Sequence, residues 1–376
     1  MSIRILHTAD NHLCMKFNGR GYSDEVREAL VNERFEALER VVRIANKRDA
    51  HFLVIAGDLF DSTNIPQRDI KRTAEILNKF HGQNVVVLPG NHDYFEAGTG
   101  KLWDHFRKCM DENLLLLLDN CKPVETEIGE QTIYFYPGPC NSKTSKENVI
   151  GWVKGIEKNP DHLHIGIAHG SVEGVAPDFK REYFLMTEDE LRESGADFWL
   201  LGHIHVRYPA QPQIYNPLYF YPATHTPDGF DRKHEGFVWY LEIDTLKQIK
   251  MESIRTGEYR FYDLAEAVNS VEDIYAIREK LLGTEKLKAL VKLKINGRIS
   301  EEDRTELHKA IEDIRTQLAY MELEDEDVKL HITRDYIDKS YTPNSLPHRL
   351  LSHLSLAEDD NMALQLANEL IEKIKR

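Results

Sequence analysis

Five short apolar runs within the first 205 residues stop abruptly, and each delivers Asp, Asn or His to the turn that follows. The clearest is His51-Phe52-Leu53-Val54-Ile55, which leads through Ala56-Gly57 to Asp58-Leu59-Phe60-Asp61. Ile3–Leu6 leads to Asp10-Asn11-His12, and Val85–Leu88 to Pro89-Gly90-Asn91-His92-Asp93. Leu163–Ala168 leads to His169-Gly170, and Phe198–Leu201 to Gly202-His203-Ile204-His205. Short apolar runs bounded by glycine read as buried strands. The carboxyl edge of an open α/β sheet is where such folds bind ligands. One Gly-Asp is ordinary turn chemistry, and a lone histidine packs in a core more often than it binds an ion. Five such clusters on one edge point to a metal site.

The rest of the chain fits an α/β unit followed by a smaller one. Residues 24–47 carry Val26, Leu30, Ala37, Leu38, Val41 and Ala45 on one helical face. A second helix is expected from Pro66, with Ile70, Ala74 and Leu77 inward. A strand near Ile133-Tyr134-Phe135 and a helix over 146–157 follow. Beyond His205, Leu218–Tyr221, Phe237–Ile243 and Gln248–Ile254 read as an antiparallel stretch that closes a sheet. From about Arg260, apolar spacing at Ile274, Ile277 and Leu281, and at Leu307, Ile311, Ile314 and Leu318, marks two helices. Two alternating strands, Val291–Ile295 and Val328–Ile332, complete a small α+β unit, and the acidic run Glu322–Asp327 is expected to be a solvated loop. The expected division is 1–256, 257–338 and a linker with a helical tail over 339–376.

With 376 residues, 41% hydrophobic and 30% charged, the chain can bury a large core. No apolar run approaches the roughly 20 residues of a membrane helix. Met1-Ser2-Ile3-Arg4 enters a strand directly, without a signal-peptide pattern. Cys14, Cys109, Cys121 and Cys140 form no CxxC pair and read as reduced thiols, so a cytoplasmic location is expected. The net charge of −15 is spread over both parts, so any nucleic-acid surface must be a local patch or be supplied by bound cations.

The candidate ligands Asp10, His12, Asp58, Asn91, His169, His203 and His205 mix oxygen with imidazole and include no Cys. That set suits Mn²⁺, Fe or Zn²⁺ better than calcium or a structural zinc. Seven donors are too many for one ion that must also meet a substrate. Two ions about 3.5–4 Å apart, sharing a carboxylate, fit better. Two dications against two carboxylates leave a positive site that attracts phosphate. Such ions acidify water enough for it to attack phosphorus, and a histidine at the rim outside the ligand set would protonate the leaving oxygen.

Asp10-x-His12, Gly57-Asp58, Gly90-Asn91-His92-Asp93, His169 and Gly202-His203-x-His205 resemble, in order, the five motifs of the calcineurin-like metallophosphoesterases. The resemblance implies a four-layer α-β-β-α sandwich. It also implies one ion on Asp10, His12, Asp58 and His205, and a second on Asp58, Asn91, His169 and His203. His92 becomes the proton donor, with Asp61 behind it orienting the ring. The flanks His7-Thr8-Ala9-Asp10, Val54–Asp61 and Val87–Asp93 look like the SbcD-type DNA repair exonucleases and their YhaO-like relatives. From that branch follow a C-terminal α+β capping domain, Mn²⁺ as metal, DNA as substrate, a homodimer, and an ABC-type (SbcC-like) ATPase partner bound by the helical tail. Tyr221-Pro222-Ala223-Thr224 departs from the Tyr-Pro-Gly-Ser of the family. Two alternatives stand beside the nuclease: a phosphoesterase of nucleotides or phosphomonoesters, and a DNA-tethering scaffold.

Other residues have plainer readings. His7 is expected to be structural, His51 and His81 to lie at the surface, Cys14 to be a packed loop thiol, and Asp93 to fix its own loop. Lys16, Arg20, Lys180, Arg181, Arg207, Arg232 and Lys233 flank the motifs as candidate phosphate contacts or as solvated charges. The tail helix could equally pack back on its own domain.

Overall fold

A computed structural model describes residues 2–96, 101–175, 182–210, 216–231, 235–282, 288–356 and 362–375. The chain divides into two compact units, Met1–Phe261 and Tyr262–Arg376. No helix among the described residues is long and apolar enough to cross a membrane.

The first unit opens with β1 (Ile3–Thr8), α1 (Asp24–Lys47), β2 (Phe52–Ala56), α2 (Gln67–Leu77), β3 (Asn84–Leu88), α3 (Lys101–Cys109) and β4 (Leu115–Leu117). The Ser23 side chain accepts the Val26 N–H to start α1, and Asp24 and Glu25 complement the dipole of its first turn. There follow β5 (Val124–Ile128), β6 (Gln131–Gly138), β7 (Leu163–His169), α4 (Glu188–Glu193), β8 (Phe198–Gly202), β9 (Arg207–Tyr208), β10 (Tyr219–Pro222), β11 (Phe237–Ile243) and β12 (Ile249–Arg255). One sheet has the order β12-β11-β1-β2-β3-β4 and the other β5-β6-β7-β8-β10-β9.

Side chains alternate across a strand, so each sheet offers an apolar face on both sides. Ile5, Phe52, Val54 and Val86 of the first sheet meet Phe135, Ile165, Ile167 and Leu200 of the second in a core between the sheets. Leu6, Leu53, Ile55 and Val87 face the other way, toward Leu38 and Val41 of α1, Ile70 and Leu77 of α2, and Phe106 of α3. Tyr136, Trp199 and Leu201 pack outward against Val153 and Leu191. The unit is a four-layer α-β-β-α sandwich. In the first sheet β1, β2, β3 and β4 are parallel, and in the second β6, β7, β8 and β10 are parallel. The carboxyl ends of the five motif strands therefore meet at one edge.

Two local expectations change. The helix expected over 146–157 is a single 3₁₀ turn, Gly151–Gly155, and the glycines at both its ends disfavour a longer helix. The stretch after His205 does not close one sheet. Tyr219–Pro222 pairs parallel with β8 in the second sheet, whereas β11 and β12 extend the first sheet antiparallel from β1.

The second unit holds β13 (Arg260–Ala267), α5 (Val271–Leu282), β14 (Ala289–Ile299), α6 (Glu301–Arg315), β15 (Tyr320–Leu330), α7 (Arg334–Ser340), α8 (Leu346–Leu354) and α9 (Met362–Lys375). Ile274, Ile277, Leu307, Ile311 and Ile314 of its first two helices pack on Val291, Leu293 and Ile295 of the three-stranded sheet. The acidic run Glu322–Asp327 is not a loop but the middle of β15. Lys292 lies 3.8 Å from Glu322 and 3.1 Å from Glu324, and Lys294 lies 3.6 Å from Asp327. Cross-strand opposite charges let a run that looks like solvated loop join a parallel sheet. In the helical tail, Ile337, Tyr341, Leu351 and Leu364 form a small core of their own.

Candidate metal centre

The first and second motif loops run side by side because the β1–β2 pairing continues beyond the strands. Asp10 N–H donates to Gly57 O, His12 N–H to Asp58 O, Leu13 N–H to Leu59 O, and Asp61 N–H to Leu13 O, at 2.9–3.1 Å. To keep this ladder while aiming side chains across the edge, Asp10, His12, Asp58 and His203 adopt left-handed backbone, with φ of 53°, 41°, 52° and 97°. Non-glycine residues held there cost about 1–3 kcal/mol each, and such strain clusters at functional sites. Two motif glycines make room. A Cβ on Gly57 (φ +89°) would sit 2.0 Å from His169 Nδ1, and one on Gly90 would sit 2.2 Å from Asp58 Oδ1.

The structure brings all seven expected ligands together in two groups. In one, His12 Nε2 faces His205 Nε2 at 3.2 Å, with Asp10 Oδ1 3.7 Å from His205 Nε2 and Asp58 Oδ2 3.6 Å from His12 Nε2. In the other, Asn91 Oδ1 lies 3.0 Å from His169 Nε2 and 3.1 Å from His203 Nδ1, and Asp58 Oδ2 lies 3.3 Å from His169 Nε2. Asp58 Oδ2 belongs to both groups, while its Oδ1 accepts the His92 N–H at 2.8 Å. Asp10 accepts the His203 N–H, tying the first strand end to the second sheet.

Outer contacts settle which ring nitrogens carry protons. His169 Nδ1 faces the Ala56 carbonyl at 2.9 Å, and a carbonyl can only accept, so Nδ1 is protonated and Nε2 turns inward. His205 Nδ1 lies 3.0 Å from Asp228 Oδ2, and His12 Nδ1 lies 3.4 Å from Asp61 Oδ1. With Nδ1 of His205 on Asp228 and Nδ1 of His12 toward Asp61, both rings turn Nε2 inward. The arrangement fits cations: two sets of unshared donor atoms converge on common points, held there by outer partners of the kind that support metal-bound histidines.

Asp61 differs in detail from its expected place. Its carboxylate is nearer His12 than His92, at 3.4 Å against 4.0 Å, and His92 Nδ1 meets the Asp61 carbonyl instead, at 3.1 Å. Asp93 is wholly buried and accepts the Phe60 and Gly90 N–H groups, as a loop-fixing residue should. Cys14 is half-buried, and burial pushes its thiol up to about 12, so it packs rather than reacts. His7 is buried between the sheets, His51 is half-buried where it accepts the Arg4 N–H, and His81 is exposed. Of the basic flank, Lys16 is exposed, Arg20 donates to the Asp228 carbonyl, and Arg207 donates to Ser253 and stacks on Phe237. Lys180, Arg181, Arg232 and Lys233 lie outside the described residues. Asp228 and Arg34 were not anticipated. Arg34 is fully buried, and its Nε donates to the Asn11 and His12 carbonyls at 2.9 and 3.0 Å.

Burial raises the Asp10 carboxyl above the ordinary range. Burial also works on Asp58, but His169 and then His12 outweigh it and hold that carboxyl well below the range. For His169, burial is overcome by Asp58 and Asp10, which lift the imidazole to about 9, whereas burial and His169 push His203 down to about 3.

Residues 3–207 match the family model described as calcineurin-like phosphoesterase. The metallophosphoesterase YhaO of Bacillus subtilis is 26% identical over 288 residues, covering 73% of this chain and 65% of YhaO. The DNA double-strand break repair protein Mre11 of Methanosarcina mazei is 39% identical over 93 residues, 24% of this chain and 14% of Mre11. The chain thus spans less than two thirds of either relative. Among solved structures, a purple acid phosphatase from yellow lupin seeds aligns over 68% of this chain and 52% of its own, at 12% identity and a TM-score of 0.42.

Two outcomes are expected. A ligating imidazole must be neutral, so with His169 at about 9 in the ion-free site, ion uptake at neutral pH releases a proton. Apparent affinity should therefore rise as pH climbs toward about 9, with proton release read by titration calorimetry in buffers of different ionisation enthalpy. Equal heats in all buffers would contradict it. Gly57→Ala should displace His169 and weaken ion binding roughly 10–100-fold, read by equilibrium dialysis.

Proposed function

Because this chain belongs to the calcineurin-like phosphoesterases, we propose that it is a DNA exonuclease, hydrolysing phosphodiester bonds with two divalent ions, most naturally Mn²⁺. The observation that carries the reading is the double donor set joined at Asp58 Oδ2, with a histidine beside it that belongs to neither group. Asp10, His12, Asp58 and His205 would hold one ion, and Asp58, Asn91, His169 and His203 the other. Such a pair supplies charge to neutralise the phosphoryl oxygens and acidity to activate the attacking water.

His92 is the proton donor in this reading. Its N–H is anchored on Asp58 Oδ1, and its Nδ1 faces the Asp61 carbonyl, which leaves Nε2 as the atom that gives a proton. With its side chain 35% exposed at the rim, it is open to a substrate in a way the buried ligands are not. Asp61 supports the site by facing His12 with its carboxylate and His92 with its carbonyl.

DNA as substrate draws on the relatives, one of them named for double-strand break repair, and on the added α+β unit, which a simple phosphatase does not need. An ATPase partner is supported by the tail. Met362, Leu366, Leu370 and Ile374, spaced four apart on α9, are 71%, 56%, 51% and 84% exposed. Their spacing forms an apolar stripe suited to another helical surface. A homodimer and a cytoplasmic location complete the reading. The net charge of −15 favours a second reading, a small phosphoester substrate, since a duplex needs cations along its path.

The test compares end-labelled duplex DNA, single-stranded DNA and bis-p-nitrophenyl phosphate with added Mn²⁺. Nucleotide release from DNA supports the nuclease, and turnover of the small diester alone supports the second reading. Asp58→Asn should lose both ions and all hydrolysis. His92→Gln should keep the ions and lose about 10²–10⁴-fold in turnover, the usual contribution of a positioned acid. Near-normal turnover in His92→Gln would remove it from this role.

A further inference from the structure

Two carboxylates outside the donor set serve the same group of ligands: Asp228 on His205 and Asp61 on His12. Together with Asp10 and Asp58 they crowd four negative charges around one ion position. Arg34 is the cation buried among them. Its guanidinium is fully buried on α1, and burial works against its charge, which Asp228 and then Asp61 favour only in part. Nε spans the Asn11 and His12 carbonyls, in the strained loop where Asp10 and His12 are left-handed. Nη1 and Nη2 are buried without a hydrogen-bonding partner among the described residues, so the guanidinium is accounted for by the nearby charges and the loop it holds. The Phe17 ring, 5.9 Å from the guanidinium, and Arg20, whose Nη1 donates to the Asp228 carbonyl, close the cluster.

Among the described residues no charged side chain outside the donor set contacts the ligand side chains of the other donor group in this way, although Asp93 fixes the Gly90 N–H beside Asn91. His169 is held by the Ala56 carbonyl, and Asn91 Nδ2 donates to the Lys143 carbonyl at 3.2 Å. Both are neutral backbone contacts.

We propose that Arg34 is a positioning residue for one ion of the pair, the one on His12 and His205, and that the two ion positions are therefore separable. This rests on the two-ion reading of the site. Arg34 sets the Asn11–His12 backbone and balances Asp61 and Asp228, so that both histidines keep Nε2 inward. Lysine cannot replace it, because a flexible ammonium does not reproduce the planar guanidinium whose Nε spans the Asn11 and His12 carbonyls.

The experiment loads the full chain, Arg34→Lys and Asp228→Asn with Mn²⁺ by equilibrium dialysis. It counts the metal by elemental analysis and records electron paramagnetic resonance, with circular dichroism to verify folding. The unaltered chain should bind about two ions per chain with an exchange-coupled signal. Each variant should bind the ion on His12 and His205 10–100-fold more weakly, well beyond any change at the other position, and give the signal of isolated Mn²⁺. Wild-type binding of both ions in the two variants overturns the proposal, as does parallel weakening of both ions. Should Arg34→Lys fail to fold, Asp228→Asn decides alone, since it keeps the shape of the side chain. Fewer than two ions in the unaltered chain would instead sink the two-ion reading, and this inference with it, before any variant is made.

Discussion

His12 and His205 turn Nε2 toward each other across 3.2 Å, and His169 turns its Nε2 toward Asn91 Oδ1 at 3.0 Å. The other ring nitrogens of His205 and His169 face Asp228 and the Ala56 carbonyl, and that of His12 lies 3.4 Å from Asp61, so the inward nitrogens carry a proton only when a second one is taken up, as His169 does below about 9. Lone pairs held face to face in a buried site repel unless a cation or a proton lies between them. Much of the surrounding architecture can be understood as holding that arrangement in place. The left-handed residues at Asp10, His12, Asp58 and His203 cost about 1–3 kcal/mol each. Each fully buried Val, Leu, Ile or Phe of the core between the sheets contributes about 1.5–3 kcal/mol, so the sandwich can carry that strain several times over.

The legible part of the site is the part that strands impose. A parallel strand buried on both faces reads as a continuous apolar run, and its carboxyl end must be followed by a turn, so Asp58, Asn91 and His169 could be placed from residue order alone. The supporting contacts lie elsewhere. Ala56 and Lys143 act through backbone carbonyls, which no side-chain pattern records. Asp228 reaches His205 from a loop with no periodicity to read. Arg34 did leave a signal: it sits four residues after Leu30 and four before Leu38, on the buried stripe of α1. A charge on an apolar face is a demand for a buried partner, and it went unread because the stripe looked complete without it.

The second unit was misread at one point for the opposite reason. Glu322–Asp327 carries so much charge that its alternation was hidden, and only the lysines on β14 reveal the strand. Those lysines are committed to carboxylates within their own sheet. The same holds on the catalytic unit, where Arg20 and Arg207 are turned to local acceptors. Two of the described basic residues that flank the motifs are thus spent on structure. A polyanionic substrate on the proposed reading would draw on the ions themselves, which ties its affinity to metal loading.

Asp58 makes that coupling tighter. One carboxylate oxygen faces both donor groups, and the other accepts the N–H of His92. A rigid carboxylate cannot shift on one side without shifting on the other. The same group that would join two ions therefore also fixes the backbone from which His92, the proposed proton donor, projects. Ion loading and the position of His92 are then not independent variables. A site that loses the ion on His12 and His205 would relax Asp58 toward His169, and the His92 backbone would follow. On this argument the ion on Asn91, His169 and His203 would not suffice for turnover by itself: His92, the proposed acid, is placed as described only when Asp58 is held from both sides.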